Sequence, residues 1–198
     1  MKDILRLMVV LTSLCIISAL ALAKIYDLTK GPIAHQKRLE VLRAIKMVLP
    51  PYDNEPDRDM AKLSMGIDKR GEETQRVFYR GRKDGRLIGV AFKVASPEGY
   101  GGDIEVMVGL LPNGMINGVE ILSHLETPGL GAKIRETKFK DRFKNRNLPN
   151  TAWAVKKDGG DIDGITGATI SSRAVIKGVK EGLEFYRDHR TSIVDSSQ

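Results

Sequence analysis

Between Leu7 and Ala23 no position is charged, with Lys2 and Arg6 before the run and Lys24 directly after it. A membrane-spanning helix needs about 20 mostly apolar residues. Ile4 and Leu5 lengthen the run, and the Arg6 stem can lie along apolar surface while its charge reaches the headgroups. Thr12, Ser13 and Ser18 fit inside such a span because their hydroxyls can bond back to the helix backbone. A secretory signal has similar features: Lys2 and Arg6 make a basic start, and Ala21-Leu22-Ala23 is an acceptable cleavage site. The run is longer than a usual signal core, which favours an uncleaved anchor.

Further on, Leu39, Leu42, Ile45, Met47 and Leu49 recur among Lys and Arg and predict a helix over 34–49, stopped by Pro50 and Pro51. Residues 53–74 are charged and lack a period, and they read as a connection with one helical turn around Met60. Residues 77–79 and 87–94 are β-prone and joined through Lys83-Asp84-Gly85, a hairpin signal. Ile104, Val106, Val108 and Leu110 alternate, which predicts a strand with one buried face. Pro112-Asn113-Gly114 turns that strand back into another over 116–122. Helices are expected over 133–144 and over 169–187, the latter because Val175, Val179, Leu183 and Tyr186 recur at helical spacing. The strand-like 152–155, with Trp153, is expected to lie in the core. The fold class is therefore α+β: an antiparallel-rich sheet covered by helices, preceded by one N-terminal transmembrane helix. The expected divisions are a stub over 1–6, the anchor over 7–23, a helical connector over 24–74, the folded domain over 75–190 and a tail over 191–198.

Composition narrows the partners. The 198 residues carry a formal net charge of +7, with 29% charged and 41% hydrophobic residues. That balance is globular, and acidic residues are interleaved with the basic ones, so no nucleic-acid module is indicated. Membrane lipid is the expected contact of the anchor. Positive charges flank the apolar run on both sides, and orientation does not follow from counting them. The one cysteine, Cys15, lies inside the run, so the rest of the chain has no disulfide, no c-type haem motif and no iron–sulfur ligands.

The stretch richest in small and hydroxylated residues is Asp163-Gly164-Ile165-Thr166-Gly167-Ala168-Thr169-Ile170-Ser171-Ser172. It follows an acidic, glycine-rich loop and opens the last predicted helix, so Thr166 and Thr169 fall at or just before a helix N-terminus. Unpaired N–H groups and the helix dipole attract anions there. On this spacing alone a plain N-cap is the better explanation of a threonine there, since many helices start with threonine. A calcium loop does not fit: with Gly164 as its glycine, Gly159 would take the first ligand position and Ile170 the last, where Glu is needed.

Two glycine clusters lie upstream. Gly99-Tyr100-Gly101-Gly102 leads into the alternating strand, where absent side chains let a flat ligand approach the backbone or simply let the loop bend. His124-Leu125-Glu126-Thr127-Pro128-Gly129-Leu130-Gly131 follows the last strand, and Pro128-Gly129 predicts a tight turn with positive φ at Gly129. Thr127 and Leu130 beside backbone N–H groups suit a ring with an apolar face and a polar edge. His124 is more simply a hydrogen-bonded turn residue than a proton donor.

Asp163-x-x-Thr166-Gly167-Ala168-Thr169, taken with the two glycine clusters in this order, resembles the FMN-binding domains of the Rnf and Na⁺-translocating NADH:quinone reductase complexes. The similarity runs over about 26–186, and the short length is closer to the G subunits of Rnf complexes than to the longer C subunits of the quinone reductase. Ala132 departs from the pattern, which has an acidic residue there. The resemblance implies FMN attached covalently, through its phosphate, to Thr169. Thr166, Gly167, Ala168 and Asp163 would surround the attachment, and Tyr100, Gly101, Gly102, Glu126, Thr127, Pro128, Gly129, Leu130 and Gly131 would line the flavin. It implies an electron carrier among other membrane subunits that pass electrons between ferredoxin and NAD⁺ coupled to ion movement. It also implies a single-pass inner-membrane protein, its FMN domain outside the cytoplasm, matured by a flavin transferase. A flavin module of some other extracytoplasmic reductase, or a non-redox anchored binding domain, would fit the same residues.

Overall fold

The structure is a computed structural model that describes residues 2–67, 71 and 73–194. Helix α1 runs over Lys2–Val48 and contains Pro32. The apolar run and the helix expected over 34–49 are thus one helix, although Pro32 has no N–H for the turn before it. Residues 1–40 form one unit and 41–198 another. In the first, the most apolar window has a mean hydropathy of 2.3 and none of it is buried, so the helix is long and apolar enough to cross a membrane. Ser13 Oγ donates to the Val10 carbonyl at 2.9 Å, the back-bond expected for a hydroxyl in an apolar span.

The second unit is organised by an antiparallel meander in the order β1-β2-β3-β4-β5. The strands are Met60–Ile67, Glu73–Lys83, Arg86–Ser96, Ile104–Leu110 and Ile116–Ser123. The turn expected at Lys83-Asp84-Gly85 is a two-residue hairpin loop, Lys83 pairing with Arg86. Asp84 (φ 50°) and Gly85 (φ 75°) are both left-handed, the pairing that matches strand twist. The strand β1 corrects the expectation of a helical turn around Met60. It is an edge strand whose residues over 60–66 are half-buried or exposed except Ala61, and it acquires its conformation by pairing with β2.

One face of the sheet carries the main core: Phe78, Val90, Phe92, Val94, Val106, Val108 and Leu110 pack with helix α3, Thr169–Asp188. The residues expected to face inward from α3 do so, Val175 and Val179 at 0% exposure and Leu183 and Tyr186 at 3%. Gly182 lets α3 come close, since a β-carbon there would lie 2.7 Å from Phe92 Cε2 and collide with Val94.

The other face departs from the half-buried strand that alternation predicts, because β4 is buried on both sides. Met107 and Ala91 join Ala44, Ile45, Val48 and Leu49 in a second core. Gly81 pairs with Gly89, and Gly109 with Gly118, and the two pairs are staggered because Ala91 stands opposite Gly109, so four strands present glycine along a diagonal row. A β-carbon at Gly81 or Gly89 would lie 2.9 Å from Leu49, and one at Gly109 would lie 2.8 Å from Val48 Cβ. The row is a groove for the end of α1, and Asn117 Nδ2 closes it by donating to the Val48 carbonyl at 2.8 Å.

The helix expected over 133–144 is divided into a 3₁₀ turn at Gly131–Arg135, a short α2 at Thr137–Lys140 and a 3₁₀ turn at Asp141–Phe143. Ile134, Phe139 and Phe143 are all buried. A continuous helix of 3.6 residues per turn would point the first two in different directions. The extended Glu136 (φ −66°, ψ 139°) re-phases the chain so that both face inward. Residues 152–155 contribute one bridge, Val155 to Ile162, and Trp153 is half-buried against the core.

Candidate functional site

Two loops meet the first turn of α3, and the side chain that joins the three segments is Glu126, only 5% exposed. Its Oε1 accepts the Gly101 N–H at 3.1 Å. Its Oε2 accepts the Ser171 hydroxyl at 2.5 Å. The neighbouring glycines make room for it: a β-carbon on Gly99 would stand 2.6 Å from Oε1, and one on Gly131 would collide with Oε2 and lie 2.7 Å from Ser171 Oγ. At Gly101 a β-carbon would collide with the Leu125 carbonyl. The Gly99–Gly102 loop, the His124–Gly131 loop and the first turn of α3 are therefore held by one buried carboxylate.

Each loop is shaped by a turn of the kind its sequence calls for. Leu130 N–H donates to the Thr127 carbonyl at 3.2 Å across Pro128-Gly129, with Gly129 at φ 77°. Positive φ at the third position after proline at the second marks a type II turn. Ala132 N–H adds a bond to the same carbonyl at 3.1 Å. The Ile165-to-Ala168 turn repeats this arrangement, with a 2.9 Å bond and Gly167 at φ 80°. Gly167 faces Leu130, whose Cδ2 would be 3.4 Å from a β-carbon there.

Thr169 is the first residue of α3, and the position before it, Ala168 (φ −136°, ψ 49°), provides no side-chain cap. Neither Thr166 nor Thr169 caps the helix. Among the described residues the Thr169 hydroxyl has no hydrogen bond, and the first backbone bond into the helix is Ser172 N–H to the Ala168 carbonyl, 3.1 Å. Thr169 is half-buried, Thr166 and Gly167 are exposed and Ala168 is buried. Ser172 holds the approach in place: its Oγ accepts the Ile165 N–H at 2.9 Å and donates to the Ala168 carbonyl at 3.0 Å.

Around this point apolar side chains are left uncovered. Tyr100 is 71% exposed, Leu125 79%, Leu130 48% and Ile170 48%, and they come from all three converging segments. Four cations on adjacent segments are already engaged. Arg173 makes two 2.7 Å bonds to Asp158, Lys156 reaches Asp163 at 3.1 Å, and Lys177 pairs with Glu98. Arg142 donates to the carbonyls of Asp163 and Gly164 at 2.6 and 3.0 Å. Asp163 thus turns its carboxylate toward Lys156. His124 Nδ1 accepts the Glu126 N–H at 3.1 Å, so it is a turn residue. Partial burial and Arg135 hold its pKa below the ordinary value, with Glu126 opposing them.

Tyr100, Gly101, Gly102, Glu126, Thr127, Pro128, Gly129, Leu130 and Gly131 are thereby gathered beside Thr166, Gly167, Ala168 and Thr169. The roles of Ser171, Ser172, Leu125 and Ile170 were not apparent from sequence. A signal was present: Ser171 and Ser172 are polar at positions that the α3 period places inward.

The FMN-binding domain model matches residues 99–184, the span that carries both glycine loops and the start of α3. The C subunit of the Na⁺-translocating NADH-quinone reductase from Parabacteroides distasonis shares the fold, at TM-score 0.56 and 21% identity, covering 86% of this chain and 96% of that one. The Shewanella oneidensis NqrC structure also aligns at TM-score 0.56, with 17% identity over 75% of this chain and 93% of that one. The G subunit of the ion-translocating oxidoreductase complex of Aliivibrio fischeri strain ES114 is 40% identical over 185 residues, 89% of this chain and 88% of that protein. The corresponding G subunit of Cereibacter sphaeroides is 37% identical over 186 residues, 90% of this chain and 82% of that protein. The chain belongs to the family of G subunits of ion-translocating oxidoreductase complexes.

Proposed function

We propose that this chain is an electron-carrying subunit of an Rnf-type membrane complex and holds FMN through a phosphoester to Thr169. The observation that carries the reading is the Thr169 hydroxyl, unbonded at an uncapped helix start beside the buried Glu126 junction. An ester phosphate there would be seated at the positive end of the α3 dipole. Gly167 and Ala168 leave space for it, and Leu125, Leu130, Ile170 and Tyr100 would flank the ring. When bound, FMN supplies reversible one- and two-electron transfer; the protein's contribution is orientation and electrostatic tuning. Ferredoxin and NAD⁺ would meet other subunits. A flavin transferase would load FMN from FAD, with the domain on the extracytoplasmic side and α1 in the membrane.

The test is the intact mass of denatured protein from cells that contain an active transferase, for the wild type and for Thr169→Ala. The expected result is a gain of one FMN less one water in the wild type and a bare mass in the variant. A bare wild type, or a flavinylated Thr169→Ala, overturns the attachment.

A further inference from the structure

Residues 133–146 hold seven lysines and arginines against two acidic residues, Glu136 and Asp141. The apolar side chains of this broken helix are turned inward, with Ile134, Phe139 and Phe143 all buried, so the charges stand on a fixed base. Two of the seven cations face carboxylates: Lys140 pairs with Glu120 of β5 at 2.6 Å, and Lys144 with Asp141 at 2.7 Å. Arg142 and Arg146 donate to backbone carbonyls, which occupies their N–H groups without cancelling their charge. Lys133, Arg135 and Lys138 are exposed and form no ion pair among the described residues. Exposed cations elsewhere on the domain do face carboxylates, as Lys93 faces Glu105 at 2.9 Å and Arg187 faces Asp188 at 2.8 Å. From Lys133 to Lys138 the chain advances about 10 Å at 1.5–2.0 Å per residue. That is roughly one Debye length at physiological salt, so the three charges act together, with Glu136 the one acidic residue among them.

This basic strip borders the apolar rim of the Thr169 site. Lys133 N–H donates to the Leu130 carbonyl at 3.1 Å. Arg135 Nη2 donates to the Leu122 carbonyl at 3.0 Å, at the foot of the loop that carries Leu125. Leu125 and Leu130 are both exposed. An apolar centre with charge around it is the anatomy of a protein interface. A lipid surface suits the strip less well, because a segment lying on a membrane presents apolar side chains on its outer face, and here they are buried.

We propose that Lys133, Arg135 and Lys138, with Leu125 and Leu130 beside them, form a docking surface for a carboxylate-rich face of another protein subunit. Opposite charges steer such an encounter and fix its register, and the two leucines give it an apolar centre. The assignment rests on membership of a multi-subunit complex, as put forward above, and not on the bond at Thr169.

The test is carbodiimide cross-linking of the complex purified through this chain and held in lipid nanodiscs, followed by peptide mass spectrometry. The reagent joins a lysine amine to a carboxylate in contact with it. Lys62, exposed on β1 at the other edge of the sheet, is the reference. Lys133 and Lys138 are expected to link to Asp or Glu of another subunit in about fivefold higher yield than Lys62, and less at high salt. Arg135→Glu keeps both amines and reverses a charge between them in sequence. It should lower their yield about threefold, the effect of two charge units at roughly 10 Å in water, without lowering the melting temperature. Nanodiscs of phosphatidylcholine and of anionic phosphatidylglycerol should give equal yields, and Thr169→Ala should cross-link like the wild type. Links at neither lysine, yields no higher than at Lys62, or no response to Arg135→Glu overturn the proposal. Links that vanish in phosphatidylglycerol also overturn it, assigning the strip to lipid headgroups. A chain that does not co-purify with other subunits overturns both membership and this surface, whereas co-purification without these links overturns the surface alone.

Discussion

Replacing Glu126 with alanine isolates the junction on which the two loops and the first turn of α3 depend. The carboxylate accepts from Gly101 at 3.1 Å and from Ser171 at 2.5 Å. Gly101 is exposed, so water can take over its N–H, but Ser171 is 1% exposed and cannot be compensated in that way. A hydrogen bond to a charged group contributes about 1.5–3 kcal/mol, and an orphaned buried donor costs about 1–3 kcal/mol. These describe the same Ser171 contact and are not summed. Adding the lost side-chain packing, the expected destabilisation is about 2–4 kcal/mol. For a chain of this size each kcal/mol shifts the midpoint by about 2–4 °C, which gives a fall of roughly 5–15 °C.

A double-mutant cycle separates the contact from general disruption. Glu126→Ala, Ser171→Ala and the double variant are unfolded thermally in the same detergent, followed by near-UV circular dichroism. Removing both partners eliminates the unmet hydroxyl, so the double variant should be more stable than the two single losses added together predict, by about 1–3 kcal/mol. Additive losses, with coupling below about 0.5 kcal/mol, would refute the claim that this pair ties α3 to the His124–Gly131 loop.

Three further changes probe the surroundings. Gly182→Ala drives a methyl toward Phe92 and Val94 and should cost about 1–3 kcal/mol by overpacking, read as a lower urea midpoint with unchanged slope; a stabilised variant, as helix propensity alone predicts, contradicts the close α3–sheet contact. Gly109→Ala meets Val48 across the glycine row and should speed exchange of the backbone amides near Val48 and Met107, with no change in exchange on α3. His124 has its folded pKa below the ordinary value near 6.5, so the unfolded chain binds the proton more readily. Stability should therefore hold above that value and decline as pH falls through the lowered folded pKa; a His124→Gln variant should lose that part of the slope, and an identical pH profile counts against the lowering by burial and Arg135.

What was legible in the sequence was what repeats or what needs a special backbone. Ile104, Val106, Val108 and Leu110 marked β4, the α3 period was read to within a residue or so, and Asp84-Gly85 marked its hairpin. The strand β1 escaped because an edge strand pairs on one side and buries little, so Met60 and its neighbours show no strong alternation. The glycine row under the end of α1 was invisible for a related reason. Glycine has no side chain to carry a period, and only strand register sets the Gly81–Gly89 pair diagonally beside the Gly109–Gly118 pair. The motifs named segments that the fold brings together at the start of α3, but not the junction that holds them. Glu126 stands 45 positions from Ser171, and no local pattern shows that a loop carboxylate is buried against a helix.

The electrostatics around Thr169 bear on why attachment there would be covalent. A site that held a free phosphate by charge would keep guanidinium or ammonium groups aimed at it and unshared. Here Arg173 is committed to Asp158, Lys156 to Asp163 and Lys177 to Glu98, while Arg142 is spent on two carbonyls. Glu126, a carboxylate, already lies against the first turn of α3 and draws on the same positive dipole end. An additional anion therefore gains the dipole and the uncapped amides but faces a like charge, while Arg173, Lys156, Lys177 and Arg142 are already engaged. Those terms favour a diester of one negative charge over a free dianion, and they leave retention to the bond at Thr169 Oγ1. On this reasoning Thr169→Ala should not convert the domain into a reversible FMN binder of high affinity. Equilibrium dialysis of the variant against FMN measures this, and submicromolar binding would show that the ring and phosphate contacts alone suffice.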